Sequence, residues 1–277
     1  MDEQLPEIDS DIAEYYRQAP EERRLEEGAF LLESLRTREL IERHAPASPA
    51  TVVDIGGAAG AYALWLAEAG YSVHLLDPIP RLVAEAERRS VVAPRPLASC
   101  AVGDARNLPF PDKMADLVLL LGPLYHLTAA QDRAGALDEA ARVLKPGGCL
   151  FAAAVCRWAS ALDGLARDLF EDPQFTAIVG QDLRDGQHRN LSGHLDYFTT
   201  AYFHRPEDLR AEVLDAGFEM VGLFGIEGPG WILPDVGERL ADGRRREDLL
   251  RVARWLESEP TMLAASAHLL AVARKPA

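Results

Sequence analysis

The sequence predicts an α/β fold built on a doubly wound parallel sheet with helices on both faces. Three observations lead there. Short apolar or β-branched runs alternate with helical patterns from residue 51 to residue 155. Those runs are apolar almost throughout, as strands covered on both faces are. The first of them, Thr51-Val52-Val53-Asp54-Ile55, runs straight into Gly56-Gly57-Ala58-Ala59-Gly60 and then a helical pattern, the order of a buried strand turning into a helix.

Before the alternation, Ile12, Tyr15 and Tyr16 mark a short amphipathic turn. Leu25, Phe30, Leu31, Leu35, Leu40 and Ile41 repeat at helical spacing until Pro46 and Pro49. After the first strand the spacing predicts a helix over 61–69 stopped by Gly70, a strand over 72–76, a helix over 79–89 and a strand over 97–102. A strand over 116–121 follows, then a helix over 129–144 ended by Lys145-Pro146-Gly147-Gly148, and a fifth strand over 149–155. Beyond Cys156 the alternation breaks. Residues 157–204 read as one helix around 162–170 and a polar, aromatic-rich segment, too long for a connection and so a functional cap. A helix over 206–216 closed by Gly217, a strand over 218–226, a helix over 244–257 and a last strand over 268–273 complete the chain. In the helix over 244–257, Leu249, Leu250, Val252 and Trp255 are expected inward. The expected organisation is a helical lid over 1–46 and one domain over 47–277, with insertions near 157–204 and 228–264.

The 277 residues carry 29 Lys+Arg against 44 Asp+Glu, a formal charge of −15. Such an excess repels a phosphate backbone, so neither nucleic acid nor an anionic membrane is the expected partner and a small molecule is. Cys100, Cys149 and Cys156 sit in or beside apolar runs without CxxC spacing, which points to neither disulfides nor zinc and to a reducing compartment. With no apolar leader-like segment at the start, the expected location is cytoplasmic.

The chemistry lies in the glycine loop and the acids after it. Glycine or alanine at 56, 58 and 60 lets a ligand approach the backbone where a branched side chain would collide. The dinucleotide pattern GxGxxG fits poorly, because its second and third glycines would be Ala58 and Ala61 and a pyrophosphate would meet the Asp54 carboxylate. Asp77 ends the second strand, where an acid accepts from ribose hydroxyls, and Asp104 ends the third, where it can accept from an exocyclic amine. Each acid alone could be a turn former or a helix cap. The three in order suit a cationic or amine-bearing nucleoside.

Together these segments resemble the class I S-adenosylmethionine-dependent methyltransferases. The likeness rests on Asp54 to Gly60, Leu76-Asp77, Gly103-Asp104-Ala105 with Leu108-Pro109-Phe110, Asp116-Leu117-Val118, and Arg142-Val143-Leu144-Lys145-Pro146-Gly147-Gly148. Ala58 departs from the family's DxGxGxG. The resemblance implies a seven-stranded sheet whose last strand is antiparallel and lies beside 218–226, and S-adenosyl-L-methionine as cofactor. It implies that Gly56, Gly57, Ala58 and Gly60, after Asp54, pass under the methionine moiety. Asp77 with Pro78 would hold the ribose, and Asp104 with Ala105 and Arg106 would read the adenine. Leu121 would border the site. Tyr15, Tyr16, Arg23, Arg24 and Arg36 would lie on a lid reaching the cofactor carboxylate, or equally pack as core and solvated face.

The segment Leu121-Gly122-Pro123-Leu124-Tyr125-His126-Leu127 should face the methyl group. His126 is the candidate general base, or a histidine that only hydrogen-bonds the sheet edge, and Tyr125 is a positioning residue. In the cap, His188, Arg189, Asn190, His194, Asp196, Tyr197, Phe198, Tyr202 and His204 form a polar and aromatic set, expected to be a solvated or a pocket-lining loop, with His204 equally able to do no more than precede a helix start. Among them His194 is the second candidate base, and Trp231 reads as a pocket rim. No metal is expected, since the histidine spacings match no ligand motif. The expected function is methyl transfer to a small molecule by in-line displacement. The alternative is a protein that binds the cofactor without transferring its methyl group; a nicotinamide dehydrogenase is a more distant one.

Overall fold

The computed structural model describes residues 8–19 and 21–277. Two N-terminal helices, α1 (Ser10–Gln18) and α2 (Gly28–His44), precede the alternating part. That part runs β1 (Thr51–Ile55), α3 (Ala61–Glu68), β2 (Ser72–Asp77), α4 (Pro80–Val92), β3 (Ser99–Val102), β4 (Ala115–Leu120), α5 (Pro123–His126), α6 (Ala130–Val143) and β5 (Leu144–Val155). The cap follows as α7 (Ala159–Ala166), α8 (Pro173–Asp185), β6 (Gln187–His188) and β7 (Ala201–Tyr202). Then come α9 (Pro206–Asp215), β8 (Glu219–Gly225), α10 (Val236–Ala241), α11 (Gly243–Leu256) and β9 (His268–Arg274).

The seven-stranded sheet has the order β3-β2-β1-β4-β5-β9-β8, with β1 to β5 parallel and β9 antiparallel to both neighbours. Its two faces bury separate apolar layers. On one, Val53, Ile55, Val118 and Leu120 meet Leu137, Ala140 and Val143 of α6 and Leu209 and Val213 of α9. On the other, Val52, Leu75, Leu117 and Phe151 meet Leu40 and Ile41 of α2 and Ala63 and Leu66 of α3. Strands covered on both sides have no solvated face, which is why they read as unbroken apolar runs.

Two features of the topology place the site. The strand order reverses between β1 and β4, so the loops after those strands diverge and leave a crevice at the carboxyl edge. The antiparallel β9 pairs its first residue, His268, with the last residue of β5, Val155, and so begins at that same edge.

The structure departs from the sequence reading at several points. The cap contains a second full helix, α8, with Pro173 at its first turn, Asp172 accepting from Gln174 N at 2.8 Å and Gly186 left-handed at its end. Lys145 to Gly148 does not separate helix from strand: Leu144 already pairs with Ala115, and the ladder resumes at Cys149 after an irregularity. Residues 123–126 form a short helix within the expected loop. On α11, Leu249, Leu250 and Ala253 are buried while Val252 and Trp255 face out, because the buried stripe advances from 249 and 250 to 253.

Candidate functional site

The glycine loop is fixed from below. Gly56 has φ +73°, and a Cβ there would lie 2.7 Å from Pro123 Cδ. The Asp77 carboxylate accepts from Ala58 N at 2.8 Å and Ile79 N at 2.9 Å, so one side chain ties the loop to the start of α4. Ala58 has φ +46°, a left-handed conformation that costs a residue with a Cβ about 1 kcal/mol. Gly60, also left-handed at φ +84°, caps α3 and is buried behind the loop.

Asp54 lies under this loop, 1% exposed, and its Oδ2 has no hydrogen-bond partner among the described residues. Burial, then the nearby Asp77 charge, push its carboxyl up to about 7 against the pull of the Ala63 backbone N–H. Across the crevice Asp104 accepts from Arg106 Nη2 at 2.6 Å. Burial opposes its ionisation, but the bonds from Arg106 hold its carboxyl below the usual range. These groups line a cavity of about 420 Å³ with Gly57, Pro78, Ile79, Leu82, Ala105 and Leu121. The unpartnered Asp54 oxygen, the loop that a Cβ at Gly56 would push into Pro123, and the apolar walls fit a nucleoside that also carries a cationic tail.

Helix α1 covers this cavity. Tyr16 Oη lies 2.7 Å from His126 Nε2, the Tyr16 carbonyl accepts from Arg81 Nη2 at 2.7 Å, and Thr199 Oγ1 donates to the Asp11 carbonyl at 3.1 Å. His126 Nδ1 faces the Thr200 carbonyl at 3.5 Å. Burial drives the His126 imidazole down to about 4, with the Thr200 carbonyl working the other way and the Arg24 charge adding to it. A side chain that weakly basic is neutral over the working range, so His126 is equipped to accept the Tyr16 hydrogen bond and poorly equipped to take a proton from an acceptor.

A second cavity, of about 610 Å³, adjoins the first. Tyr16, Arg24, Glu33, Tyr125 and His268 belong to the walls of both. Beyond them it is lined by Tyr15, Phe30, Val155, Phe175, Tyr197, Phe198, Phe203 and Trp231 among others, with Ser160, Asp163, Arg167, His188, Asp196 and Glu227 as polar exceptions. At the shared wall lies a buried charge cluster. His268 Nδ1 is 2.5 Å from Glu227 Oε1 and 3.9 Å from Glu33 Oε2, and Arg24 Nη1 donates to Glu33 Oε2 at 2.8 Å. Burial works to lower the His268 pKa, but Glu33 and Glu227 together outweigh it and Arg24, so the imidazole is raised above its ordinary value. One atom from each of Glu33, Glu227 and His268 falls within 4.8 Å of the others. The Arg24 guanidinium is bonded to one carboxylate and the His268 Nδ1 is committed to the other, so with a neutral imidazole the cluster carries one net negative charge.

Of the residues singled out in the sequence, Tyr16, Asp54, Gly56, Gly57, Ala58, Asp77, Pro78, Asp104, Ala105, Arg106, Leu121, Tyr125 and His126 all line the first cavity; Gly60 does not. His194 is exposed on the cap, outside the residues lining either cavity, so the structure removes it from contact with the site. Arg189 bonds the Gln187 side chain, and Tyr202 packs under Arg133 with 3.8 Å between guanidinium and ring centroid; neither lines a cavity. His204 is buried against Glu212 at 3.2 Å. Of the lid arginines only Arg24 reaches the cavities: Arg23 pairs with Glu26, and Arg36 is buried between Glu39 and Glu257. Trp231 does form part of the second cavity's wall, with Nε1 donating to the Ala265 carbonyl at 2.9 Å. Sequence reading missed Glu33, Glu227 and His268, each unremarkable in its own segment.

Comparison with known proteins adds four findings. A family model described as "Methyltransferase domain" matches residues 53–152. The ubiquinone/menaquinone biosynthesis C-methyltransferase of Acidiphilium cryptum is 31% identical over 193 residues, 69% of this chain and 75% of that one. A probable tRNA methyltransferase 9B of Bos taurus is 33% identical over 117 residues, 42% of this chain and 23% of its own. Among solved structures, phosphoethanolamine N-methyltransferase 2 of Haemonchus contortus, in complex with S-adenosyl-L-methionine, superposes with a TM-score of 0.56 at 18% identity, covering 88% of this chain and 53% of that one.

Proposed function

The chain belongs to the class I S-adenosylmethionine-dependent methyltransferases, and from that footing we propose that its acceptor is a small, largely apolar, ring-bearing molecule seated in the second cavity. The observation that carries this reading is the aromatic cavity of about 610 Å³ that meets the cofactor cavity at Tyr16, Arg24, Glu33, Tyr125 and His268. A net charge of −15 speaks against a phosphate-rich acceptor, and among the described residues no helix is long and apolar enough to cross a membrane. The relative whose name assigns it to ubiquinone and menaquinone biosynthesis supports a ring-bearing acceptor.

In this reading Asp54, Gly56, Gly57, Ala58, Asp77, Pro78, Asp104, Ala105, Arg106 and Leu121 hold the cofactor, with Tyr16 over it. When bound, S-adenosyl-L-methionine supplies an electrophilic methyl group on a sulfonium. The protein contributes alignment and exclusion of water, which together account for most of the acceleration of an in-line displacement. The Tyr16–His126 hydrogen bond pins α1 over the opening as a lid, and Tyr125 braces the acceptor side. The segments over 157–204 and 228–264 supply the acceptor walls.

The test fills the acceptor cavity and leaves the cofactor cavity alone. Ala159 lines only the second. The Ala159→Trp variant should bind S-adenosylhomocysteine with wild-type affinity by calorimetry and lose release of S-adenosylhomocysteine from S-adenosylmethionine in the presence of 2-naphthol or a naphthohydroquinone. Wild-type turnover in that variant would remove the second cavity from the reaction, and methylation of bulk tRNA by the wild type would replace the small acceptor with a polymer.

A further inference from the structure

The mechanism above leaves one buried titratable cluster unused, at the place where the two cavities meet. His268 opens β9, and because β9 is antiparallel to β5 its side chain comes to the carboxyl edge, opposite Val155. Glu227, just past the end of β8, grips it twice: Oε2 accepts from the His268 backbone N–H at 3.1 Å, and Oε1 lies 2.5 Å from Nδ1. Glu227 is 2% exposed, so this is a short bond in a poorly solvated place. A carboxylate on Nδ1 fixes the tautomer with its hydrogen there and leaves the lone pair on Nε2. Nε2 has no hydrogen-bond partner among the described residues, and His268 belongs to the walls of both cavities.

We propose that His268, oriented by Glu227, is the catalytic base that takes the proton from a hydroxyl-bearing ring acceptor, a phenol or hydroquinone, in the second cavity. This rests on the proposed acceptor reading. The acceptor O–H bond breaks and its proton bonds to Nε2. The electron pair released on the acceptor, at oxygen or at the ring carbon conjugated with it, forms the bond to the methyl carbon. The carbon–sulfur bond breaks with its pair kept by sulfur, and the ring proton of a carbon acceptor leaves to water when aromaticity is restored. The imidazolium so formed faces Glu227 and Glu33, two carboxylates against the one guanidinium of Arg24, so the charge is stabilised where it appears. His126, already bonded to Tyr16 and held down to about 4, lacks this support. A metal would have to displace Arg24 from Glu33 and the hydrogen from Nδ1.

The test uses the full chain with histidine labelled in its ring nitrogens, in S-adenosylhomocysteine, at a series of pH values. His268 should show an imidazole identified by its loss in His268→Gln, with Nε2 unprotonated and a midpoint above 6.5. In Glu227→Gln the midpoint should fall by about one unit, a displacement that a purely structural role would not produce. Turnover of 2-naphthol should rise with pH through the same midpoint and drop about 10² to 10⁴-fold in His268→Gln with S-adenosylhomocysteine affinity retained. A hydrogen on Nε2, a midpoint below 6.5, or stoichiometric binding of zinc to the wild type would overturn the assignment whatever the acceptor. A wild type that binds S-adenosylhomocysteine but methylates neither 2-naphthol nor a naphthohydroquinone would instead overturn the acceptor class.

Discussion

Replacing Asp54 by Asn tests the electrostatics beneath the glycine loop. Asp54 is buried, and one of its oxygens lacks a partner among the described residues; its carboxyl is raised from 3.8 to about 7 by burial and by Asp77. A carboxyl with a raised folded-state pKa stabilises the fold fully where both states hold the proton, and that stability is lost over the range in which the fold still holds a proton that the unfolded chain has lost. That contribution is present at low pH and disappears as pH rises through the folded value, so the window runs from about 4 to about 7. Between pH 5 and pH 8.5 the wild type should lose about 3 kcal/mol through this group alone, because each pKa unit is worth about 1.4 kcal/mol. With an unfolding entropy of about 2.1 cal/mol/K per residue, this corresponds to a Tm shift of roughly 5 °C. Asn cannot ionise, so the wild-type Tm should fall relative to that of Asp54→Asn by about that amount over the interval, as read by differential scanning calorimetry. A cationic ligand over the loop favours the carboxylate, so S-adenosylmethionine binding near pH 7 should release about half a proton from the wild type and none from the variant. Calorimetric titration in two buffers of different ionisation enthalpy measures this. Parallel Tm curves for the two proteins from pH 5 to 8.5 would refute the raised carboxyl, and equal proton release would separate it from the cofactor.

Three further outcomes follow from the same geometry. Asp77→Ala removes the acceptor of the Ala58 and Ile79 N–H groups, so cofactor affinity should weaken by about 1.5 to 3 kcal/mol and thermal stability should fall with it; wild-type affinity by calorimetry would defeat the assignment. Ala58→Gly relieves a left-handed alanine and should raise stability to urea by up to about 1 kcal/mol with cofactor binding kept, whereas a loss of stability would mean the Ala58 methyl is worth more than its backbone strain. His126→Asn should remove an acid-labile contribution: the neutral ring is favoured in the fold, so wild-type stability is present above 6.5 and lost as pH falls toward 4, by at most about 3 kcal/mol. The variant's unfolding midpoint should be flatter across that range, and disappearance of a turnover limb near pH 7 in this variant would return the base to His126.

The sequence by itself determined the sheet, its winding and the glycine loop and acids that line the first cavity, because those features are local. A buried parallel strand announces itself as an apolar run, and Asp54, Asp77 and Asp104 each stand within a few residues of the strand end that presents them. Helix α8 was not read from the sequence, although Asp172, Pro173 and Gly186 are ordinary start and stop signals. The second cavity and the wall it shares with the first depended on tertiary structure. Whether Tyr16 meets His126 depends on where α1 crosses the sheet edge, and no spacing encodes that. His194 and His268 look alike as isolated histidines in the sequence. One falls on the exposed outside of the cap, while the other is carried to the carboxyl edge because the last strand runs against its neighbours. Glu33 on α2, Glu227 after β8 and His268 on β9 come from three distant segments, and their meeting is set by strand order and register, which side-chain periodicity within one segment does not record.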